Sequence, residues 1–147
     1  MSIPALYQQT VLDHYRNPRN HGVLAACTHA ADGVNPLCGD SLHVELKCVD
    51  GRIVDMRFSG EACAITTAAA SMLSELVAGC DAGDVAALNA PFEQLLSGDL
   101  AAVETLGALN ALGELRRYPS RRKCAELPWA TLRAALAGTA RISTETS

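Results

Sequence analysis

The spacing of apolar residues along the chain predicts one helix followed by a small antiparallel sheet. Apolar residues recur at helical spacing over residues 3–17, and Pro18 closes this amphipathic segment. Residues 23–34 have weak strand character, whereas residues 41–49 and 52–59 alternate between apolar and polar side chains, as half-buried strands do. The first half of the chain is therefore expected to hold a three-stranded antiparallel sheet.

The connection between the two clearer strands carries a strong turn signal. Asp50-Gly51 favours the left-handed backbone conformations of a two-residue hairpin turn. In the strand that returns from this turn, the alternation places Val54, Met56 and Phe58 on one face of the sheet. Asp55 and Arg57 are expected on the other face.

Beyond Gly60 the apolar period changes from two residues to about 3.6, which predicts helices for the rest of the chain. One helix is expected to end near Gly79, and residues 82–117 are expected to form short helices broken at Pro91 and at glycines. A last helix is predicted to begin near Lys123. Strands first and helices later are typical of an α+β fold, here a small sheet covered by helices.

The size and charge of the chain limit its organisation and its partners. A chain of 147 residues favours one domain, residues 1–147, in which residues 139–147 are expected to form a flexible tail. The 12 basic and 16 acidic residues form no basic stripe, so nucleic acid is not expected as a partner. No secretory signal and no membrane-spanning run is apparent, which predicts a soluble cytoplasmic protein without membrane association.

Three of the six cysteines and one aspartate form the strongest candidate site. Cys38 and Asp40 lie in a Pro-Leu-Cys-Gly-Asp turn, whereas Cys63 and Cys124 are each expected to begin a helix. Helix N-termini favour the thiolate form of cysteine, which binds metal and attacks sulfur. Three thiolates and a carboxylate suit either zinc or an iron–sulfur cluster, and both alternatives stay open on the residues alone.

The remaining cysteines and the histidines are expected to lie outside this site. Cys48 lies on the apolar face of its strand and Cys80 continues a helical stripe, so these residues and Cys27 are interpreted as packing or surface residues. The four histidines are scattered and none neighbours a site cysteine. The basic run at residues 121–123 is interpreted as a solvated turn or as a group that stabilises the Cys124 thiolate.

Five segments of the chain, in this order and spacing, closely resemble the U-type proteins of iron–sulfur cluster assembly. This superfamily contains IscU, SufU and the N-terminal module of NifU. The segments are Asp-His-Tyr-Arg-Asn-Pro-Arg-Asn-His-Gly (13–22), Asn-Pro-Leu-Cys-Gly-Asp (35–40), Asp-Gly-Arg-Ile-Val-Asp-Met-Arg-Phe-Ser-Gly (50–60), Cys-Ala-Ile-Thr-Thr-Ala-Ala-Ala-Ser-Met (63–72) and Arg-Arg-Lys-Cys-Ala-Glu-Leu-Pro-Trp (121–129). Two features are similar to the SufU branch: Lys123 stands where the IscU branch has histidine, and 60 residues separate Cys63 from Cys124.

The resemblance implies a zinc-dependent sulfur acceptor, a sulfurtransferase-like protein that works with a pyridoxal-phosphate-dependent cysteine desulfurase of the SufS type. It implies that the metal ligands are Cys38, Asp40, Cys63 and Cys124. Cys38 is expected to accept the sulfur because its turn is the segment best able to move. Arg121 is expected to orient the ligands or balance their charge. Downstream iron–sulfur assembly proteins are the expected receivers.

Two alternatives to the sulfur acceptor remain from the sequence. The same four ligands could assemble a [2Fe–2S] cluster and pass it on, which would make the protein an iron-binding scaffold. A purely structural zinc domain would instead unfold on chelation and leave a desulfurase unaffected.

Overall fold

The chain forms a helix, a three-strand meander, a series of further helices and a short final strand, as a computed structural model describes for residues 3–144. The helices are α1 (Ile3–Arg16), α2 (Ala64–Leu76), α3 (Ala82–Ser97) and α4 (Pro119–Ala137), with a kinked 3-10 segment at Glu104–Arg117. The strands are β1 (His29–Asn35), β2 (Asp40–Val49), β3 (Arg52–Glu61) and β4 (Arg141–Ser143). The α+β class predicted from the sequence is confirmed.

The sheet has four strands in the order β3-β2-β1-β4, not the three that were predicted. The first three strands are antiparallel, as expected, whereas β4 pairs in parallel with β1. This fourth strand lies in the segment that was expected to be a flexible tail, of which residues 145–147 lie outside the described part of the chain. The prediction missed it because β4 has only three residues, and the open edge of β1 supplies the hydrogen-bonding groups that order it.

The predicted hairpin turn is confirmed, but a bulge changes which side chains of β3 face the core. Asp50 and Gly51 both have positive φ, 53° and 78°. The register shifts before Cys48, which pairs with Ile53. As a result Ile53 is buried with Met56 and Phe58 while Val54 is 53% exposed, so the prediction that Val54 shares a face with Met56 and Phe58 is wrong.

Two prolines have effects on helix limits that differ from those predicted. Pro91 lies inside α3 and does not end it. α4 begins at Pro119, not near Lys123, because proline is well suited to the first turn of a helix, where its missing N–H is not needed. Cys124 therefore lies in the second turn of α4 and not at its start.

The sheet and the helices share one hydrophobic core, and a close approach within it positions the candidate site. α4 packs against β1 and β2, and α2 packs against α4 and α1. At Gly33 on β1 there is no room for a side chain, because a Cβ atom would meet Thr131 and Leu127 of α4. This contact brings Cys124, one turn before Leu127, towards the end of β1.

None of the helices between residues 3 and 144 is long and apolar enough to cross a membrane.

Candidate metal centre

Cys38 lies in the turn that joins β1 to β2. Asn35 and Asp40 pair across the two strands and close the turn, and the Cys38 N–H donates to Asn35 O at 3.2 Å. Gly39 has φ 71°, a left-handed conformation that glycine adopts without strain. Cys38 is half-buried, and the side chain of the preceding residue, Leu37, is 62% exposed.

Cys63 is the N-cap residue of α2, which confirms that it begins a helix. Its Sγ accepts a hydrogen bond from the Thr66 N–H at 3.5 Å, in the manner of a capping side chain. Its own N–H donates to Asp40 Oδ1 at 2.8 Å, so the start of α2 is tied to the turn that carries Cys38. Cys124, in α4, is fully buried.

The fold brings all four predicted site residues together. Cys38 Sγ and Cys124 Sγ are 3.3 Å apart, and these sulfurs and a carboxylate oxygen of Asp40 all lie within 4.8 Å of one another. Cys63 Sγ lies beside this group of three, 3.8 Å from Asp40 Oδ2. Three sulfurs and one carboxylate oxygen are the number and kind of donor atoms that tetrahedral zinc takes. The donor set therefore fits the metal, and the role of each residue as a ligand stays a prediction.

Two buried residues that sequence reasoning missed hold Asp40 in place. Thr66 Oγ1 donates to Asp40 Oδ2 at 2.9 Å, and Asn35 Nδ2 lies 3.4 Å from the same oxygen. Thr66 Oγ1 is also 3.3 Å from Cys63 Sγ. Asn35 belongs to the Asn-Pro-Leu-Cys-Gly-Asp segment and Thr66 follows Cys63 at the capping distance. Their positions in the sequence were therefore the available signals.

The sulfurs of Cys63 and Cys124 have different electrostatic environments. The pKa of Cys63 is lowered to about 6, mainly because the Cys124 thiol donates a hydrogen bond to it and also because Thr66 does. The pKa of Cys124 is raised, because its proton is held by Cys63 and Cys38 and because the thiol is buried. The hydrogen bond from Cys124 to Cys63 thus favours the thiolate at Cys63 and retains the proton on Cys124. A lowered pKa was expected for both residues, but for Cys124 the hydrogen bonds to Cys63 and Cys38 and the burial of the thiol raise it instead.

The other cysteines lie apart from the group. Cys27 is exposed, and Cys48 and Cys80 are half-buried against the core, as was expected of packing or surface residues. Arg121 is exposed at the first turn of α4. Burial raises the pKa of Tyr7, and the positive charge of Arg121 partly opposes this rise. The predicted influence of Arg121 on the ligands stays a prediction.

The histidines also serve elsewhere in the fold. His14 is buried and its Nδ1 is 2.7 Å from Ser71 Oγ, so it joins α1 to α2. His43 lies on the sheet between Asp32 and Glu45.

Comparison with known proteins identifies the family. The model of the NifU-like N terminal domain matches residues 6–144. The chain belongs to this family. Among its relatives is the zinc-dependent sulfurtransferase SufU of Bacillus subtilis (strain 168), 38% identical over 133 residues that make up 89% of each chain. The iron–sulfur cluster assembly scaffold protein IscU of Streptococcus pyogenes serotype M1 is 33% identical over 132 residues, or 89% of this chain and 82% of the relative.

The solved structures agree with this assignment. FiSufU from the thermophile Fervidobacterium islandicum AW-1, described as a scaffold for the SUF system, superposes with a TM-score of 0.83. It is 27% identical, and the match covers 90% of this chain and 97% of that one. The predicted resemblance to the U-type proteins, and within them to SufU, is confirmed.

Proposed function

We propose that this protein is a zinc-dependent sulfur acceptor in iron–sulfur cluster assembly. The observation that carries the proposal is the convergence of Cys38, Asp40, Cys63 and Cys124, which come from three separate segments of a SufU-like fold. The Bacillus relative named as a zinc-dependent sulfurtransferase supports the same activity.

The four converging residues would hold the zinc. When bound, zinc stabilises thiolates without oxidising them, since it has no redox chemistry of its own. Asp40 contributes a harder donor than sulfur, and its two oxygens are already oriented by Cys63, Thr66 and Asn35. The protein thus presents two buried donors, on Asp40 and Cys124, and two half-buried ones, on Cys38 and Cys63, with Asp40 fixed by hydrogen bonds.

Cys38 is the proposed acceptor of sulfur. Cys124 is fully buried within α4 and Cys63 caps α2, whereas Cys38 is half-buried on a turn that ends in Gly39. Its thiolate would attack the outer sulfur of a cysteine persulfide on the partner enzyme. The partner's sulfur–sulfur bond breaks, its electron pair stays on the partner's cysteine as a thiolate, and a new sulfur–sulfur bond forms on Cys38.

The partner that can supply such a persulfide is a pyridoxal-phosphate-dependent cysteine desulfurase, of the SufS type by the resemblance of this chain to SufU. Removal of the persulfide frees the partner's cysteine for another turnover. We place the reaction in the cytoplasm, where thiols are kept reduced. Downstream assembly proteins would then take the sulfur from Cys38.

Desulfurase turnover measured with and without this protein tests the proposal. The wild-type protein should accelerate turnover, Cys38→Ser should abolish the acceleration, and Cys27→Ser, a change at an exposed cysteine outside the group, should leave it intact. Peptide mass spectrometry after incubation with cysteine should place the added sulfur on Cys38. A label confined to Cys63 or Cys124 would show that the acceptor is wrongly chosen.

The relatives named as scaffolds, such as that of Streptococcus pyogenes, support a second candidate function. The same donor atoms suit a [2Fe–2S] cluster. Reconstitution of a cluster with iron and sulfide under anaerobic conditions, followed by transfer of that cluster to an apo-acceptor, would favour the scaffold function. Zinc retained through that treatment together with desulfurase acceleration would favour the sulfur acceptor.

A further inference from the structure

The side-chain amide of Asn35 joins the metal centre to the C-terminal strand. Asn35 is fully buried at the end of β1. Its Nδ2 lies 3.4 Å from Asp40 Oδ2 and 3.7 Å from Cys124 Sγ, while its Oδ1 accepts a hydrogen bond from Thr144 Oγ1 at 2.9 Å. The backbone oxygen of Asn35 accepts the N–H of Cys38. One residue therefore contacts three of the four predicted ligands.

The two ends of the amide are not interchangeable in this setting. Nδ2 has two hydrogens to donate, and it faces a carboxylate and a sulfur, both of which accept. A flipped amide would place Oδ1 against the carboxylate of Asp40, where two acceptors repel. The hydroxyl of Thr144, by donating to Oδ1, favours the orientation in which both hydrogens point to the metal centre.

Thr144 is itself held by the strand that precedes it. The parallel pairing of β4 with β1 continues into the hydrogen bond from the Thr144 N–H to Val34 O, at 3.0 Å. Ile142 on β4 packs against the core from a partly buried position. The pairing of β4 with β1 thus positions the Thr144 hydroxyl. This hydroxyl contacts Asn35, and Asn35 in turn contacts the residues of the metal centre.

We propose that Asn35 is a positioning residue for the metal centre and that Thr144 on the C-terminal strand sets its orientation. The proposal rests on the function proposed above, in which Asp40 and Cys124 hold zinc. Groups that orient ligands in this way change metal affinity without touching the ion. The affinity for zinc should accordingly depend on a hydroxyl that lies beyond the last helix, outside all of the family's cysteine segments.

Zinc affinity of the full chain, measured by competition with a chelator, tests the proposal. Thr144→Val should weaken zinc binding by about 2- to 12-fold, the effect of one lost neutral hydrogen bond. Thr144→Ser keeps the hydroxyl and should stay within about twofold of the wild type. Asn35→Leu removes the amide itself and should weaken binding by about 10- to 100-fold.

The absorption spectrum of the cobalt(II)-loaded protein provides a second readout that a purely structural role would not move. Thr144→Val should shift the cobalt d–d and thiolate charge-transfer bands while its far-ultraviolet circular dichroism stays that of the wild type. Thr144→Ser should leave the bands in place. If Asn35→Leu fails to fold, the Thr144 pair still decides the question.

A double-variant cycle separates this inference from the proposed function. In the Asn35→Leu background, Thr144→Val should change zinc affinity by less than about twofold, because the hydroxyl no longer has an amide to orient. The inference would be overturned if the two substitutions had additive effects on zinc affinity, or if Thr144→Val left both the zinc affinity and the cobalt spectrum unchanged. In either case, zinc binding by the wild type would still support the proposed function. A wild-type protein that does not bind zinc would instead refute the proposed function.

Discussion

Replacing Thr66 with valine should destabilise the protein at the metal centre without changing the shape of its core. Thr66 is fully buried, and its hydroxyl donates to the buried carboxylate of Asp40 at 2.9 Å. Valine keeps the branched shape and lacks the hydroxyl. A hydrogen bond to a charged group contributes about 1.5–3 kcal/mol, so the free energy of unfolding should fall by that amount. For a chain of this size the melting temperature should fall by about 3–12 °C.

Thermal and urea unfolding of the metal-free protein under reducing conditions measures this loss. Thr66→Ser keeps the donor and should retain most of the stability. Thr67→Val is the matched control, because the Thr67 hydroxyl makes only a marginal contact, 3.5 Å from Ala62 O, and it should cost less than about 0.5 kcal/mol.

The stability lost in Thr66→Val should depend on the carboxylate of Asp40. In an Asp40→Ala background the hydroxyl has lost its acceptor, so Thr66→Val should then cost less than about 0.5 kcal/mol. An undiminished cost in that background would mean that the hydroxyl stabilises α2 by some other contact, such as the one with Cys63 Sγ at 3.3 Å.

Two further predictions concern packing and pH. Gly33→Ala should force α4 away from β1 at Thr131, which should lower the free energy of unfolding by about 1–3 kcal/mol and weaken zinc binding. Urea unfolding measures the first effect and competition with a chelator the second. If neither value changed, the close approach of α4 to β1 would be contradicted. Burial lowers the pKa of His14 in the folded protein below its usual value of 6.5. The stability that neutral His14 contributes is therefore complete above about pH 6.5 and is lost as the pH falls towards the folded pKa. His14→Gln should flatten the change in melting temperature between about pH 5.5 and 7.5, and an identical pH profile would refute this role.

The sequence predicted the elements whose signals are long or repeated. The helix α1, the strands β2 and β3 and the turn between them follow from periods of 3.6 and two residues and from Asp50-Gly51. Strand β4 was missed because three residues cannot show a period, and its order comes from pairing with β1. The exposure of Val54 was missed because a bulge inserts one residue and reverses the alternation that follows it.

The convergence of the candidate site was predictable, whereas the contacts that orient it were not. Cys38, Cys63 and Cys124 were found from their residue type and from their expected places at the ends of elements, a placement that holds for Cys38 and Cys63 but not for Cys124. Asn35 and Thr66 act through hydrogen bonds to Asp40, and such contacts depend on the register of β1 against β2 and on the start of α2. The register of β1 against β2 is not visible in one sequence. The start of α2 at Cys63 was predicted, but the contact of Thr66 with Asp40 was not, because asparagine and threonine are also common turn and capping residues.

In the proposed mechanism one sulfur moves while the site keeps its shape, and the elements that carry the three cysteines are consistent with this. Cys124 lies inside α4, fully buried, and any displacement of its sulfur would disturb the packing of that helix. Cys63 is fixed by capping α2 and by the hydrogen bond from its N–H to Asp40. The backbone hydrogen bonds at Cys38 and Gly39 run within the turn, from the Cys38 N–H to Asn35 O and from the Gly39 N–H to Pro36 O, and Leu37 and Gly39 are exposed. A sulfur acceptor needs one thiolate that can reach a partner and a frame that does not collapse when it leaves. In the proposed mechanism Asp40, held by Cys63, Thr66 and Asn35, belongs to that frame, so a change that loosens Asp40 should impair zinc retention before it impairs the reach of Cys38.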